Sequence, residues 1–331
     1  MDAVALTRQL IDIDSTTGHE ATVGDFLAAY LEHIGFAVER QAVQGSRFNV
    51  LAMPKSHPEP PLVFSTHMDT VPPFLPSAED EHNVYGRGAC DAKGIIAAMV
   101  EAAQQLNAQG LPAGLLFVVG EERDSLGAQV ANQHARGSRF LINGEPTENR
   151  MAVASKGALR VEVTCHGKMA HSAYPELGES AIEKLLDAMQ KLRALELPYD
   201  PEIGHSTMNI GIIEGGRATN VIPDFAKAQL LIRLVGPSEP LREQIVVAVG
   251  ALGEVEFVLD LACMKFRTVP GIPVMTAAFT TDIPKLSNWG EPFLLGPGSI
   301  LVAHTDREFI SKAELSRAVE LYVATARHLL A

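Results

Sequence analysis

Three short runs, 62–65, 115–119 and 140–142, apolar at every position but Ser65, constrain the fold of this chain more than any other feature. A strand with one wet face alternates apolar and polar side chains, whereas a strand covered on both faces need not. Each run ends in polar residues: His67 and Asp69 after the first, Gly120-Glu121-Glu122 after the second, Asn143-Gly144-Glu145 after the third. Between the first two lies an Ala-rich helical pattern over 93–109, with Ile96, Met99, Val100 and Ala103 inward, and a shorter helix over 125–135 precedes the third. Strand, helix, strand, helix, strand of this texture predicts an α/β fold with a mostly parallel sheet covered by helices on both faces. Ligands of such sheets lie beyond the carboxyl ends of the strands, so His67, Asp69, Glu121, Glu122 and Glu145 share one rim.

Ahead of this unit, Asp2 caps a helix carrying Leu6, Leu10 and Ile13, and a second helix runs from Val23 through Phe26, Leu27, Tyr30 and Leu31 to Ile34 and Gly35. Residues 36–40 and 48–53 read as strands, and the Pro-rich segment 54–61 as a loop. From about residue 151 the texture changes. Residues 159–165 alternate, then come a helix over 180–195, strands over 208–213 and 226–234, a helix over 241–252 and a strand over 255–261. These form two βαβ-like halves of a separate α+β domain, residues 156–263. The apolar run 293–295 and a closing helix from Ser311 return to the first style, so the second domain is inserted in a first one made of 1–155 and 264–331.

Composition removes several function classes. The net charge is −13 and no basic run occurs, so nucleic acid and anionic membrane are poor partners. No uncharged apolar run approaches the roughly 20 residues of a membrane helix, and the first residues lack a basic stretch followed by a long apolar core. Cys90, Cys165 and Cys263 form no paired framework, which suits a reducing compartment. The expectation is a soluble, cytoplasmic protein.

The chemistry must come from the polar rim. His67 and Asp69, two apart at an extended strand end, point the same way, so the carboxylate can orient the imidazole. A lone HxD is also an ordinary loop, and a lone Asp91 in GRGACDAKG is also a helix N-cap. Glu121 and Glu122, adjacent after a buried strand, repel one another unless a cation or proton resolves the conflict, and they point to opposite sides. Glu145 in NGEPT, His304 in GPGSILVAHTD and His171 in GKMAHSAYP are each uninformative alone; His57, His82, His134 and His205 read as surface residues. Together, histidines and carboxylates without cysteine ligands suit Zn²⁺, Co²⁺ or Mn²⁺. Five donors exceed one tetrahedral ion and match two ions about 3.5–4 Å apart that share a carboxylate, with a spare glutamate as proton shuttle.

STHMDTVP, YGRGACDAKG, GEERDSLGA, GEPT, GKMAHSAYPELGESAI, TNVIP with the later Ile232-Arg233, and GPG before Ala303-His304 occur in one order along nearly the whole chain. In this the sequence resembles the M20 metallopeptidase and deacylase family, which includes acetylornithine deacetylase, succinyl-diaminopimelate desuccinylase, aminoacylases, carboxypeptidases and dipeptidases. The resemblance implies a di-zinc exopeptidase-like fold with an inserted lid and dimerisation domain. It implies one metal on His67, Asp91 and Glu145 and another on Asp91, Glu122 and His304, with Asp91 bridging. It implies Asp69 as the partner of His67, Glu121 as general base and acid, and His171 as stabiliser of the oxyanion, in its own subunit or a partner's. Asn220 and Arg233 match positions that contact the substrate's carboxylate side, where an arginine fork grips two oxygens. Two positions depart from the family pattern: Ile232 stands where relatives carry an acid, and AHTDREF leaves Asp306 and Glu308 as alternatives for the acid near His304.

The expected activity is hydrolysis of the amide of an N-acyl amino acid, closest to acetylornithine or acetyl-lysine deacetylases, by a metal-activated water with Glu121 as base. The alternatives are a metallo-exopeptidase on dipeptides or C-terminal residues, and a non-catalytic binding member. The expected cofactors are two divalent ions, Zn with Co or Mn possible, and the expected partners are a small-molecule N-acyl amino acid or dipeptide and a second copy of the chain through the inserted domain.

Overall fold

The computed structural model describes residues 1–331. The chain forms two compact units: Met1–Val153 with Phe266–Met275 and Thr281–Ala331, and Ala154–Lys265 with Thr276–Thr280.

In the first unit a six-stranded sheet has the order Phe36–Gln44, Arg47–Pro54, Ala113–Val118, Leu62–His67, Phe140–Asn143, Glu291–Leu294. The last four strands are parallel, and the first two form an antiparallel hairpin at one edge. The apolar runs are continuous because successive side chains serve opposite cores. Leu62, Phe64, Leu115, Phe117 and Ile142 pack in the core that holds the helices Ala3–Ile11, Ala21–His33, Lys93–Ala108 and Lys312–Leu330. Val63, Leu116, Val118 and Leu141 pack on the other face against Ala128 and Ala131 of Leu126–Gln133, with Leu286 and Trp289.

This order positions the rim. From the central strand Leu62–His67 the chain crosses one face through Lys93–Ala108 to Ala113–Val118, then the other face through Leu126–Gln133 to Phe140–Asn143, on the opposite side of the central strand. Where the crossovers of two neighbouring strands leave in opposite senses, as those of Leu62–His67 and Ala113–Val118 do, a crevice opens beyond their carboxyl ends, and His67 is the last residue of the first.

The second unit carries a four-stranded antiparallel sheet in the order Thr207–Gly215, Phe225–Leu234, Gly157–His166, Glu254–Leu261. The helices Ala181–Arg193 and Glu239–Val249 each link two strands separated by a third, a split βαβ arrangement. Alternate residues of Phe225–Leu234 are buried, because the helices cover one face. No helix in the chain is long and apolar enough to cross a membrane.

Candidate active site and metal centre

Three carboxylates, Asp91, Glu122 and Glu145, and two imidazoles, His67 and His304, converge from separate segments at the rim of the first unit. His67 Nδ1 lies 2.9 Å from the backbone carbonyl oxygen of Asp69; donation to that oxygen leaves Nε2 free to meet a ligand. Nε2 is 3.0 Å from Asp91 Oδ1 and 4.0 Å from Glu145 Oε2. His304 Nε2 is 3.0 Å from Glu122 Oε1 and 3.4 Å from Asp91 Oδ2. Asp91 therefore faces one histidine with each oxygen. The side chain of His304 is 47% exposed while those of His67 and Asp91 are 1% and 6% exposed, so the cluster opens to solvent on the His304 side.

The supports are as specific as the donors. Asp69 Oδ1 accepts the backbone N–H groups of Gly120 at 3.0 Å and Glu121 at 3.1 Å. Its Oδ2 accepts Glu122 N–H at 3.2 Å and the Thr17 hydroxyl at 2.8 Å. The carboxylate thus holds the turn that carries both glutamates. Its own Oδ1 is 3.5 Å from His67 Nδ1, so the backbone carbonyl rather than the side chain makes the shorter contact with the imidazole. Asp91 is held from the other side: Glu308 Oε1 accepts the N–H groups of Cys90 and Asp91, each at 3.2 Å, and its Oε2 accepts Arg87 Nη1 at 2.7 Å. Of the two acids after His304, Glu308 is buried in this role and Asp306 is exposed. Gly94, in the first turn of Lys93–Ala108, allows the close approach of this segment; a Cβ there would stand 2.4 Å from the Ala89 carbonyl oxygen.

The electrostatics follow from crowding. Burial, with the neighbouring Glu145 carboxylate, pushes the Glu121 carboxyl well above the usual range. Burial likewise raises Glu145. Burial also works against a charged Asp91, but hydrogen bonds from His304 and His67 outweigh it and hold that carboxyl below its ordinary value. Hydrogen bonds to Asp91 and Glu122 push the His304 imidazolium up to about 10. The cluster is an excess of negative charge that draws positive charge to itself. The ligating atoms of His67, Asp91 and Glu122 lie within 4.8 Å of one another, and Glu145 Oε1 is buried with no hydrogen-bond partner. A buried carboxylate oxygen without a donor, beside N and O atoms at this spacing, fits a hard to borderline divalent cation.

Asp282 also belongs here and carried no signal in the sequence. It is buried, burial above all pushes its carboxyl up to about 6, and its charge raises Glu121 and Glu145.

His171, Asn220 and Arg233 belong to the second unit. His171 pairs with Val221 on a two-stranded ladder, and Ser172 N–H donates to the Asn220 carbonyl at 3.0 Å, so these two are neighbours, both exposed. Arg233 stands on Phe225–Leu234, with Nη1 3.4 Å from Thr280 Oγ1.

Two family models match parts of the chain: the peptidase dimerisation domain of the M20 group over residues 153–250, and peptidase family M28 over residues 49–186. The longer alignment decides between them. A peptidase M20 domain-containing protein of Schizosaccharomyces pombe is 38% identical over 330 residues, covering 96% of this chain and 82% of its own. The chain belongs to the M20 peptidase family. A probable carboxypeptidase of Aspergillus fumigatus is 37% identical to this M20 chain, over 95% of it and 84% of the relative. Among solved structures, a tripeptidase of Staphylococcus aureus aligns with TM-score 0.83 at 22% identity over 98% of each chain. A dinuclear metal binding peptidase of the M20 family from Bacillus subtilis aligns with TM-score 0.74 at 15% identity, over 99% of this chain and 97% of its own. At these identities the two structures establish the shared fold.

Proposed function

We propose that this chain is a metal-dependent hydrolase of the amide bond in R–CO–NH–CHR′–COO⁻, a small substrate ending in a free carboxylate. The observation that carries the reading is Glu121: a carboxyl pushed up by burial, on a turn shared with Glu122, beside a His and carboxylate cluster suited to divalent cations. His67, Asp91 and Glu145 would hold one ion and Asp91, Glu122 and His304 a second, a reading supported by the likeness to the dinuclear metal binding peptidase of Bacillus subtilis. Bound there, the ions would supply Lewis-acid activation of a water and of the scissile carbonyl. Glu121 takes the proton from the attacking water and returns it to the leaving amine nitrogen, a role that suits a carboxyl raised by burial. Asp69 keeps that carboxylate aimed through the backbone of the turn.

N-acyl amino acid deacylation and removal of a C-terminal residue break the same bond; they differ in whether R is an acyl group or a peptide. The names of the relatives support the peptide, and the 119–128 and 177–182 segments resemble the deacetylase branch. From the second unit we assign His171 to the carbonyl oxygen and Asn220 and Arg233 to the substrate's carboxylate. The match of 153–250 to a dimerisation domain, with exposed Ile212, Ile213, Val246 and Val247 in that unit, supports a homodimer.

The test is a panel of N-acetyl and N-succinyl amino acids, dipeptides and tripeptides with the Zn²⁺- or Co²⁺-reconstituted chain. Cleavage of members with a free carboxylate, and loss of cleavage in their C-terminal amides, is expected. Equal cleavage of the amides would refute the carboxylate grip, and no amide hydrolysis would refute the reading. Mixing a Glu121→Gln chain with a His171→Ala chain restores activity only if His171 acts in the partner subunit.

A further inference from the structure

A buried ion pair beneath the 120–125 turn has no part in the hydrolytic reading. Arg47 Nε donates to Glu20 Oε2 at 2.8 Å and Nη2 to Glu20 Oε1 at 2.6 Å, and both side chains are buried. Taking two charges out of water offsets most of their attraction, so such a pair is a weak source of stability. Its surroundings point to another role. A Cβ on Gly120 would stand 2.8 Å from Arg47 Nη2, and Gly120 has φ +81°. The guanidinium therefore lies directly against the residue that opens the turn, where only glycine lets the chain come so close.

The contacts close a ring. Glu20 Oε2 also accepts Gly18 N–H at 3.0 Å. One residue earlier, Thr17 donates its hydroxyl to Asp69 Oδ2 at 2.8 Å. Asp69 Oδ1 accepts Gly120 N–H, and Gly120 rests on Arg47. We propose that Arg47 and Glu20 are positioning residues for Glu121 and Glu122, a buried post against which the turn is held so that both carboxylates keep their aim. Neither touches substrate or cation; both act through the backbone of Gly120. The inference rests on the hydrolase reading above.

Within the ring Asp69 also meets His67, but Glu20 and Arg47 reach the turn alone, through Gly120. His67, Asp91 and Glu145 are carried by other segments, whereas Glu121 and Glu122 ride on the turn. Loss of the post must therefore weaken the cation held by Glu122 and leave the one held by His67, Asp91 and Glu145.

The full chain and two variants are titrated with Co²⁺ by calorimetry and visible absorption, and kcat and KM are measured on the best substrate of the panel. The double variant Glu20→Leu with Arg47→Met removes both charges but keeps apolar bulk, and Arg47→Lys keeps the charge without the fork. The wild type is expected to bind two Co²⁺. The double variant should bind the first normally and the second about 10- to 100-fold more weakly, with kcat reduced by a similar factor, KM unchanged and the melting midpoint retained. Arg47→Lys should fall between. Unchanged second-site affinity and kcat in the double variant would overturn the proposal, as would parallel loss of both sites with a lowered midpoint, which would make the pair a stability element. A wild type that binds fewer than two Co²⁺ is a separate outcome: it overturns the dinuclear reading, and the positioning role with it.

Discussion

Replacing Asp69 by Asn changes one atom and one charge, yet four donors are aimed at that side chain: the N–H groups of Gly120, Glu121 and Glu122 and the Thr17 hydroxyl. An amide offers one acceptor oxygen. With that oxygen toward Gly120 and Glu121, its NH₂ group meets the Glu122 N–H, donor against donor; turned round, it loses two N–H partners instead. The first orientation costs least, since the Thr17 hydroxyl can rotate to accept. A hydrogen bond to a charged group contributes about 1.5–3 kcal/mol and a neutral one about 1 kcal/mol. One bond is lost and three are weakened, and relief from burying a carboxylate offsets part of this, leaving a cost of about 2–3 kcal/mol. Confined to the turn, that is about 30- to 150-fold in the affinity of the cation held by Glu122. Co²⁺ calorimetry reads the affinity, and hydrogen exchange reads the turn. The amides of 120–122 should exchange faster, while those of Lys93–Ala108 stay protected. If Asp69 acted instead by its charge on His67, 3.5 Å away, the loss would fall on the other cation and the turn would keep its protection; that result refutes the reasoning.

Glu308→Gln leaves Arg87 or the Cys90 and Asp91 N–H groups without a full partner, so unfolding of the metal-free chain in urea should show a loss of about 3 kcal/mol, against less than about 0.5 kcal/mol for exposed Asp306→Asn. Equal effects would return Asp306 to contention. In the metal-free chain the His304 imidazolium is pushed up to about 10 from an ordinary 6.5, so its contribution to stability is full below pH 6.5 and fades as pH rises through about 10. A cation must displace that proton. Co²⁺ affinity should therefore rise about tenfold per pH unit for each proton displaced between about pH 7 and 9, with proton release seen as a buffer-dependent heat; a flat profile would contradict this.

Much of the fold was legible because its physics is local. The runs 62–65, 115–119 and 140–142 read as strands covered on both faces, and Phe64 and Val63 do serve opposite cores. The antiparallel hairpin Phe36–Gln44 with Arg47–Pro54 was legible as two strands but not as to direction, which its pairing with Ala113–Val118 decides. In the second unit the two helical crossovers were readable, whereas the strand order that places Gly157–His166 between Phe225–Leu234 and Glu254–Leu261 was not. At the site, donors within recurring motifs could be named from sequence, but their supports could not. Alternation along the strand aimed the Asp69 side chain at His67, from which its Oδ1 is 3.5 Å away; its shorter hydrogen bonds, to the 120–122 backbone and the Thr17 hydroxyl, join segments far apart in the chain and were not legible. Asp306 and Glu308 look alike in sequence, and only proximity to Arg87 and the Cys90 and Asp91 N–H groups separates them. Glu20, Arg47 and Asp282 lie in no motif; distance along the chain hid them.

The most direct test of the account is Glu121→Gln, measured for metal content and amide hydrolysis on one preparation. The amide keeps the size of the side chain and removes the base. The account predicts cation affinities equal to wild type and a fall in kcat of about 10²- to 10⁴-fold. Wild-type hydrolysis by a fully metallated Glu121→Gln chain would contradict it.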